Sequence, residues 1–241
     1  MKPSRTAGFT IIETMLFLGI TSLLIVGVLA GSSASIDTQR YRDSVVTLQS
    51  FLQQQYSEVA NVSNNNITGV CGSDTHVPRG QSDCLILGRY ITSSDGKSLL
   101  IRRVVGNNSA LSSLAVVDEL SAIKMYGIAP TSASSETYNV EWGAYLVNPI
   151  NKAAASFSIL ILRSPTSGSI RTFISPESVV DDNKISLELL TQSALTQSIN
   201  VCVNSDSLFA GSKSAIYVSA NSNGASGVET LGVSEVRNTC Q

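Results

Sequence analysis

Residues 9–30 read FTIIETMLFLGITSLLIVGVLA, an apolar run that follows Gly8 and carries one formal charge, that of Glu13. The run is about 22 residues long, and an α-helix of roughly 20 apolar residues crosses a bilayer. A carboxylate at the centre of such a span costs about 2.5–3.5 kcal/mol on insertion scales, so Glu13 is expected to need a partner. Lys2 and Arg5 precede the run, and basic residues of this kind keep their end of a span on the cytoplasmic side.

A short basic leader that ends in Gly8, followed by Phe9 and an apolar run with Glu13 inside it, resembles a type III signal sequence. This signal marks type IV pilins and the pseudopilins of type II secretion. The resemblance implies that a prepilin peptidase cleaves between Gly8 and Phe9 and N-methylates the new amino terminus. It also implies that Glu13 meets the amino terminus of a neighbouring subunit in a filament, since a buried carboxylate and a buried ammonium are each unfavourable alone and tolerable together.

The resemblance further implies a set of partners. These are other pilin subunits, the prepilin peptidase, the inner-membrane assembly platform with its ATPase, and membrane lipid before assembly. One position departs from the family, because many members carry a proline where this chain has Ala30. A helix break in this region would have to come from Gly27 and Gly31, or be absent.

An apolar amino-terminal run can also be a secretory signal peptide or a plain membrane anchor. A secretory signal peptide has a shorter apolar core, and its small-residue cleavage site comes after that core. Here the glycine comes before the run and Glu13 lies within it, which disfavours a signal peptide. A generic single-span anchor is the remaining alternative, although it would have no use for Glu13.

A second helical pattern continues directly from the first. Apolar residues recur at steps of three and four, which is typical of an amphipathic helix. They are Tyr41, Val45, Leu48, Leu52, Tyr56 and Val59. Span and stripe therefore predict one helix of about 50 residues, roughly 75 Å long. The segment 31–35, GSSAS, is the expected flexible point, and the asparagine-rich segment from Asn61 to Asn66 is expected to end the helix.

The remainder of the chain predicts a β-rich head. Ser93-Ser94-Asp95-Gly96 between the apolar segments 84–87 and 97–104 is a β-hairpin signal. Further strand candidates are residues 138–147, 157–162, 170–174, 185–190, 199–203 and 215–219, while 109–123 is ambiguous between helix and strand. The predicted fold class is α+β, with a long N-terminal helix packed on an antiparallel β-sheet, and this layout resembles the pilin fold.

The predicted organisation has four parts: leader 1–8, membrane and filament-core helix 9–31, amphipathic half 32–62, and exported head 63–241. The carboxyl-terminal part is loosely similar to the tails of H-type minor pseudopilins and FimT-like minor pilins. That similarity rests on Cys202-Val203, the segment 215–218 (AIYV) and Cys240.

All four cysteines lie beyond residue 70, outside the predicted span. In an exported domain they are expected to form two disulfides. Of the three possible pairings we predict Cys71–Cys84 and Cys202–Cys240, because each closes a short segment in a region with little apolar material.

Motifs for catalysis or metal binding are not found in the sequence. His76 lies near Cys71 and Cys84, but a zinc site would need further ligands at suitable spacing. Asp181-Asp182-Asn183 has oxygen ligands suited to calcium without a regular ligand spacing, so a solvated turn is the expected structure. No nucleophile elbow, P-loop or His-Glu-x-x-His motif occurs. We therefore expect no enzyme activity, no metal and no cofactor.

The predicted function is that of a structural subunit of a type IV pilus-like or type II secretion filament, first in the inner membrane with an exported head and then at the cell surface. The alternative is a minor, tip-located pilin that binds DNA or an adhesion target. Six basic residues could contact DNA phosphates. They are Arg89, Lys97, Arg102, Arg103, Arg163 and Arg171. Only 14% of residues are charged and the formal net charge is −2, which is not typical of a polyanion-binding chain. A membrane-anchored receptor or enzyme domain is a third, less favoured interpretation.

Overall fold

The N-terminal helix, α1, runs without interruption over Ile11–Ala60, as predicted from the span and the stripe. The computed structural model describes residues 10–61, 84–107, 118–206, 213–236 and 240. Gly27 and Gly31 are helical, so the helix has no break at either residue, while the flexible point expected at residues 31–35 stays a prediction. The helix ends at Asn61, whose backbone N–H and side-chain amide both donate to the carbonyl of Ser57, at 3.0 and 3.1 Å. α1 is therefore a single rod of about 75 Å.

A five-stranded antiparallel sheet forms the larger part of the head. Its strands are β1 (Cys84–Ser93), β2 (Ser98–Asn107), β3 (Ala129–Asn139), β5 (Phe157–Arg163) and β6 (Ile170–Ser175). Their order is β3-β2-β1-β5-β6. The predicted hairpin is the β1–β2 pair, in which the Asp95 carboxylate accepts from the backbone N–H groups of Lys97 and Ser98 at 2.9 Å.

A second antiparallel sheet has four strands, so the expectation of one sheet is wrong. It contains β4 (Ala144–Val147), β7 (Ile199–Ser205), β8 (Ser214–Val218) and β9 (Val228–Leu231), in the order β4-β7-β8-β9. The strand predicted over 138–147 is broken by a tight turn in which the N–H of Ala144 donates to the carbonyl of Glu141 at 3.1 Å. Trp142 and Gly143 in this turn have φ of 58° and 70°. Two positive φ angles make a type I′ turn, and this turn carries the chain from the first sheet to the second.

Three short helices cover the face of the five-stranded sheet that is remote from α1. They are α2 (Glu119–Met125), α3 (Asp182–Glu188) and α4 (Gln192–Thr196), and a fourth, α5 (Val233–Val236), lies near the carboxyl terminus. The strand predicted over 185–190 is wrong, because α3 occupies its first part. The ambiguous stretch 109–123 is helical from Glu119, with Asp118 as the N-cap. Ile185 and Leu189 are one helical repeat apart, so both reach the sheet and are buried against it.

Two hydrophobic cores therefore lie on opposite faces of the five-stranded sheet. The first lies between α1 and the two sheets and contains all six residues of the predicted stripe. The second lies under α2, α3 and α4, with Tyr90, Leu160 and Phe173 at its centre. β5 is buried on both faces from Phe157 to Leu162. Each fully buried large apolar side chain contributes about 1.5–3 kcal/mol, so this strand holds the head together.

A third, smaller cluster surrounds the predicted disulfide Cys202–Cys240, whose Cα atoms are 5.6 Å apart. This bond joins β7 to the carboxyl terminus. Cys84 is also disulfide-bonded, and its predicted partner Cys71 lies outside the described residues.

Candidate functional site

The amino-terminal half of α1 exposes its apolar side chains. Ile11 is 76% exposed and Leu23 is 75% exposed, and the other large apolar side chains as far as Leu29 are similar. We call residues 11–31 the exposed half of α1. By length and composition this helix could cross a membrane. A continuous apolar surface of this size is not stable in water, so it must be covered by lipid or by protein.

Hydroxyl side chains within the exposed half bond to their own helix. Thr14 donates to the carbonyl of Ile11 at 2.8 Å, and Thr21 donates to that of Phe17 at 2.9 Å. Ser22 donates in the same way to the carbonyl of Leu18, at 2.7 Å. A polar group in hydrocarbon must find its partner internally, and these three do. The exposed half can therefore move from water into lipid without leaving any of these three hydroxyls unpaired.

Glu13 differs from the other polar residues of the exposed half. Within the described parts of the chain its carboxylate accepts no hydrogen bond. It stands at the third helical position, and its backbone N–H donates to the hydroxyl of Thr10 at 3.3 Å. Thr10 is thus the N-cap, which was not predicted although Thr-x-x-Glu before an apolar run is the signature of a capping box. Gly8 and Phe9, the predicted cleavage and methylation site, lie outside the described residues.

Glycines of the exposed half offer room for a neighbouring helix. A Cβ atom placed on Gly19, Gly27 or Gly31 would have nothing within 4 Å. Gly27 and Gly31 are four residues apart and so lie on one face of the helix. This small-xxx-small spacing allows close approach of helices in lipid, where packing rather than water drives their association.

The second half of α1 is fixed to the head at Tyr41. Its hydroxyl donates to the carbonyl of Val203 and accepts from the N–H of Ser214, both at 2.8 Å. These groups belong to β7 and β8, so one side chain joins the helix to two strands. Burial raises the pKa of Tyr41 above its usual value, which keeps the hydroxyl protonated. The division between exposed and buried helix therefore lies near residue 40.

The basic residues considered for DNA contact do not form one surface. Arg89 and Arg103 oppose each other across β1 and β2, on the α1 side, where Arg89 forms an ion pair with Glu58. Burial lowers the pKa of the Arg89 guanidinium, and the positive charge of Arg103 lowers it further, while Glu136 acts in the opposite direction. Arg102 points to the other face of the sheet. The first three arginines are thus divided between two faces.

Arg102 and Arg163 are already engaged by a carboxylate of the head and by a carbonyl of α1. Arg102 pairs with Asp182 at 2.6 Å and lies over the ring of Tyr90, 5.4 Å from its centroid. Arg163 donates to the carbonyl of Ala60 at 2.9 Å. Lys97 is exposed at the β1–β2 turn. This distribution does not favour a phosphate-binding surface.

Glu119 ties α2 to the turn between β5 and β6. Its carboxylate accepts from the hydroxyls of Ser167 at 2.6 Å and Ser169 at 2.8 Å, and it pairs with Arg171 at 2.9 Å. These serine hydrogen bonds, assisted by the guanidinium of Arg171, lower the pKa of Glu119 to about 2. The cluster is a structural clamp, since each donor is directed at the carboxylate.

The residues considered for metal binding are not brought together. His76 and Cys71 lie outside the described residues. Asp182 begins α3 and is paired with Arg102. In the parts of the chain that the structure describes, no group of three His, Cys, Asp or Glu residues could hold a metal ion.

Comparison with known proteins gives no relative. No protein-family model, curated protein or solved structure matches this chain. The site must therefore be interpreted from its own geometry. That geometry is a helix with an exposed apolar half, one carboxylate near its start, and a head fixed to its other half.

Proposed function

We propose that this protein is a filament subunit of the type IV pilin and pseudopilin kind, anchored in a membrane by the exposed half of α1 and then polymerised through it. The observation that supports this proposal best is the division of one continuous helix near residue 40. Before that residue the apolar side chains are exposed, and from Tyr41 onward the apolar stripe is buried under the head. One continuous helix thus joins the exposed half of α1 to the folded head.

One apolar surface then serves in two environments. Lipid covers the exposed half first, and the corresponding halves of neighbouring subunits cover it after an assembly ATPase drives extraction. The internal hydrogen bonds of Thr14, Thr21 and Ser22 suit both environments, because neither supplies water. Gly27 and Gly31 permit close helix packing in the second environment.

Glu13 has two possible roles that the structure lets an experiment separate. Its charge can pair with the amino terminus of a neighbouring subunit, created by cleavage between Gly8 and Phe9. Alternatively, its side chain can complete the capping box that starts at Thr10. Glutamine completes a capping box as well as glutamate does, but it has no charge. Glu13→Gln and Glu13→Leu are therefore a matched pair of variants.

The test compares assembly with membrane insertion. We expect both Glu13→Gln and Glu13→Leu to insert and fold like the parent and to enter filaments poorly, because pairing needs the charge. Sheared surface filaments and the membrane-extracted monomer would be quantified in parallel for each variant. Normal assembly of Glu13→Gln with loss for Glu13→Leu would show that Glu13 acts as a cap, and normal assembly of both would refute a role in assembly.

Processing is tested separately. Gly8→Val is expected to block cleavage, since the peptidase needs a small flexible residue before the helix. Mass spectrometry of subunits from mature filaments should show an amino terminus at Phe9 with an N-methyl group. Subunits that keep the leader from Met1 in mature filaments would contradict the proposal.

A further inference from the structure

Trp142 is an exposed aromatic side chain in an unfavourable backbone conformation. It is 56% exposed and is the only tryptophan in the chain. It occupies the first central position of the type I′ turn, where φ is positive and where asparagine, aspartate or glycine is normally found. A bulky residue at this position is an outlier. Since the ring fills no core, the fold does not account for its presence.

The ring of Trp142 lies beside α1 at the position of Arg40. The guanidinium of Arg40 lies over it, 5.3 Å from the ring centroid, which is a cation–π contact. Arg40 is itself exposed, and no other partner of its guanidinium occurs among the described residues. Trp142 therefore stands beside the helix near residue 40, where burial of α1 under the head begins.

The position of Arg40 along α1 is close to the membrane surface if the exposed half of α1 spans the bilayer. Residues 11–31 are about 30 Å long, which matches the hydrocarbon thickness. Arg40 lies about 14 Å further along the axis, and the headgroup layer extends about 5–8 Å on each side. An upright helix would leave Arg40 several ångströms outside that layer. Membrane helices tilt by roughly 0–40°, and a tilt of about 30° toward the Trp142 side brings a ring about 10 Å from the helix axis to about 7 Å above the hydrocarbon, within the headgroup layer.

We propose that Trp142 and Arg40 form a phospholipid-headgroup contact that rests the head on the membrane and sets the tilt of α1 before assembly. Tryptophan is enriched at the membrane interface, because its ring is apolar and its N–H can reach the headgroups. The guanidinium of Arg40 can bind a lipid phosphate while it stays stacked on the ring. Glu141 precedes Trp142, so the surface is not strongly basic, and zwitterionic lipid is expected to suffice. This inference rests on the proposed membrane insertion.

The experiment uses the full chain in phosphatidylcholine vesicles, with Trp142 as the fluorophore. Three quenchers are compared: a nitroxide on the lipid headgroup, bromine atoms deep in the acyl chains, and acrylamide in the water. We expect the headgroup nitroxide to quench Trp142 at least twofold more than the deep bromines do. Arg40→Gln should lose at least half of the headgroup quenching.

A matched control places the tryptophan elsewhere on the head. Ile150 is 90% exposed in the loop after β4, which leads away from Trp142, so Ile150→Trp in a Trp142→Tyr background should respond to acrylamide alone. If Trp142 shows the same response as this control, the contact does not exist. If its quenching by acrylamide is low only at high protein-to-lipid ratios, a second copy covers it and the proposal is wrong.

Two further measurements separate this inference from other causes. Resistance to carbonate extraction from the same vesicles reports membrane insertion. If the protein is inserted but the headgroup nitroxide does not quench Trp142, the headgroup contact is refuted and the membrane anchor is not. If the protein is not inserted, the proposed membrane anchor is refuted. Trp142→Asn, whose side chain suits the left-handed turn, should unfold at a higher temperature than the parent. A lower unfolding temperature would show that Trp142 is kept for packing.

Discussion

Leu48 lies in the middle of the stripe that holds the head on α1, and Leu48→Ala tests that attachment. Leu48 is 1% exposed and lines a small apolar cavity between α1 and both sheets, together with Leu52, Leu99 and Leu146. Removal of three carbons costs about 0.8 kcal/mol for each carbon in lost burial. The two sheets limit collapse around the vacated space, so a cavity penalty adds to this loss. We expect Leu48→Ala to lower the free energy of unfolding by about 3–4 kcal/mol.

The matched control is Val46→Ala, on the face of α1 away from the head. Val46 is 58% exposed, and its truncation is expected to change the free energy of unfolding by less than about 0.5 kcal/mol. Both substitutions introduce alanine into the same helix, and Leu and Val differ in helix propensity by only about 0.5 kcal/mol, so a difference of about 3 kcal/mol between the variants reports packing. Val46 and Leu48 are two residues apart and therefore face in different directions.

Thermal unfolding of the full chain in detergent micelles, followed by the fluorescence of Trp142, measures both variants. A loss of 1 kcal/mol lowers Tm by about 2–4 °C for a domain of this size, so Leu48→Ala should melt about 6–16 °C below the parent. Equal and small shifts for the two variants would refute the stripe as the attachment. A large shift for Val46→Ala would mean that the outer face of α1 is also covered.

Three further predictions concern the head. Tyr41→Phe leaves a carbonyl of β7 and an N–H of β8 unpaired, so the free energy of unfolding should fall by about 1–3 kcal/mol in the same melts. A change below about 0.5 kcal/mol would contradict the role of Tyr41 in fixing α1 to the head. Serine hydrogen bonds and Arg171 hold the pKa of Glu119 at about 2, below its usual value of 4.5, so this carboxylate stabilises the head above about pH 4.5 and loses that effect as the pH falls toward 2. Glu119→Gln should therefore cost only about 1 kcal/mol at pH 7, since solvent screens a partly exposed carboxylate, and a melting temperature unchanged between pH 5 and 2 would refute this pH dependence. Removal of the Cys202–Cys240 disulfide by the double substitution Cys202→Ser and Cys240→Ser, which leaves the disulfide of Cys84 intact, should cost about 4 kcal/mol by loop-closure entropy because the cysteines are 38 residues apart, and an unchanged Tm would refute that value.

Helical periodicity accounts for the features that were predicted best from the sequence. The six residues of the buried stripe follow from a repeat of 3.6 residues, and the end of α1 at Asn61 follows from the asparagine-rich segment that begins there. The β1–β2 hairpin is likewise a local feature, because Asp95 and Gly96 shape the turn between two adjacent apolar segments. Such features need no knowledge of distant contacts.

Short apolar runs predict secondary structure less well than the long helical pattern of α1 does. The pattern of residues 185–190 predicts a strand, but α3 lies there, because a run of six residues fits either period and the open face of the five-stranded sheet needs a cover. Residues 138–147 fit the pattern of one strand, and only the positive φ angles at Trp142 and Gly143 break it in two. The capping role of Thr10 was not predicted, although its signal is present in the sequence.

The sequence by itself determined a long helix with one largely apolar half and one striped half, because side-chain spacing along a helix sets the direction of each residue. The tertiary structure alone decided that the head has two sheets and which distant groups engage its arginines. These outcomes depend on pairs far apart in the chain, such as Tyr41 with Val203 and Glu119 with Arg171. Contacts of that separation form only when the whole chain packs and every buried polar group must find a partner, so no local pattern specifies them.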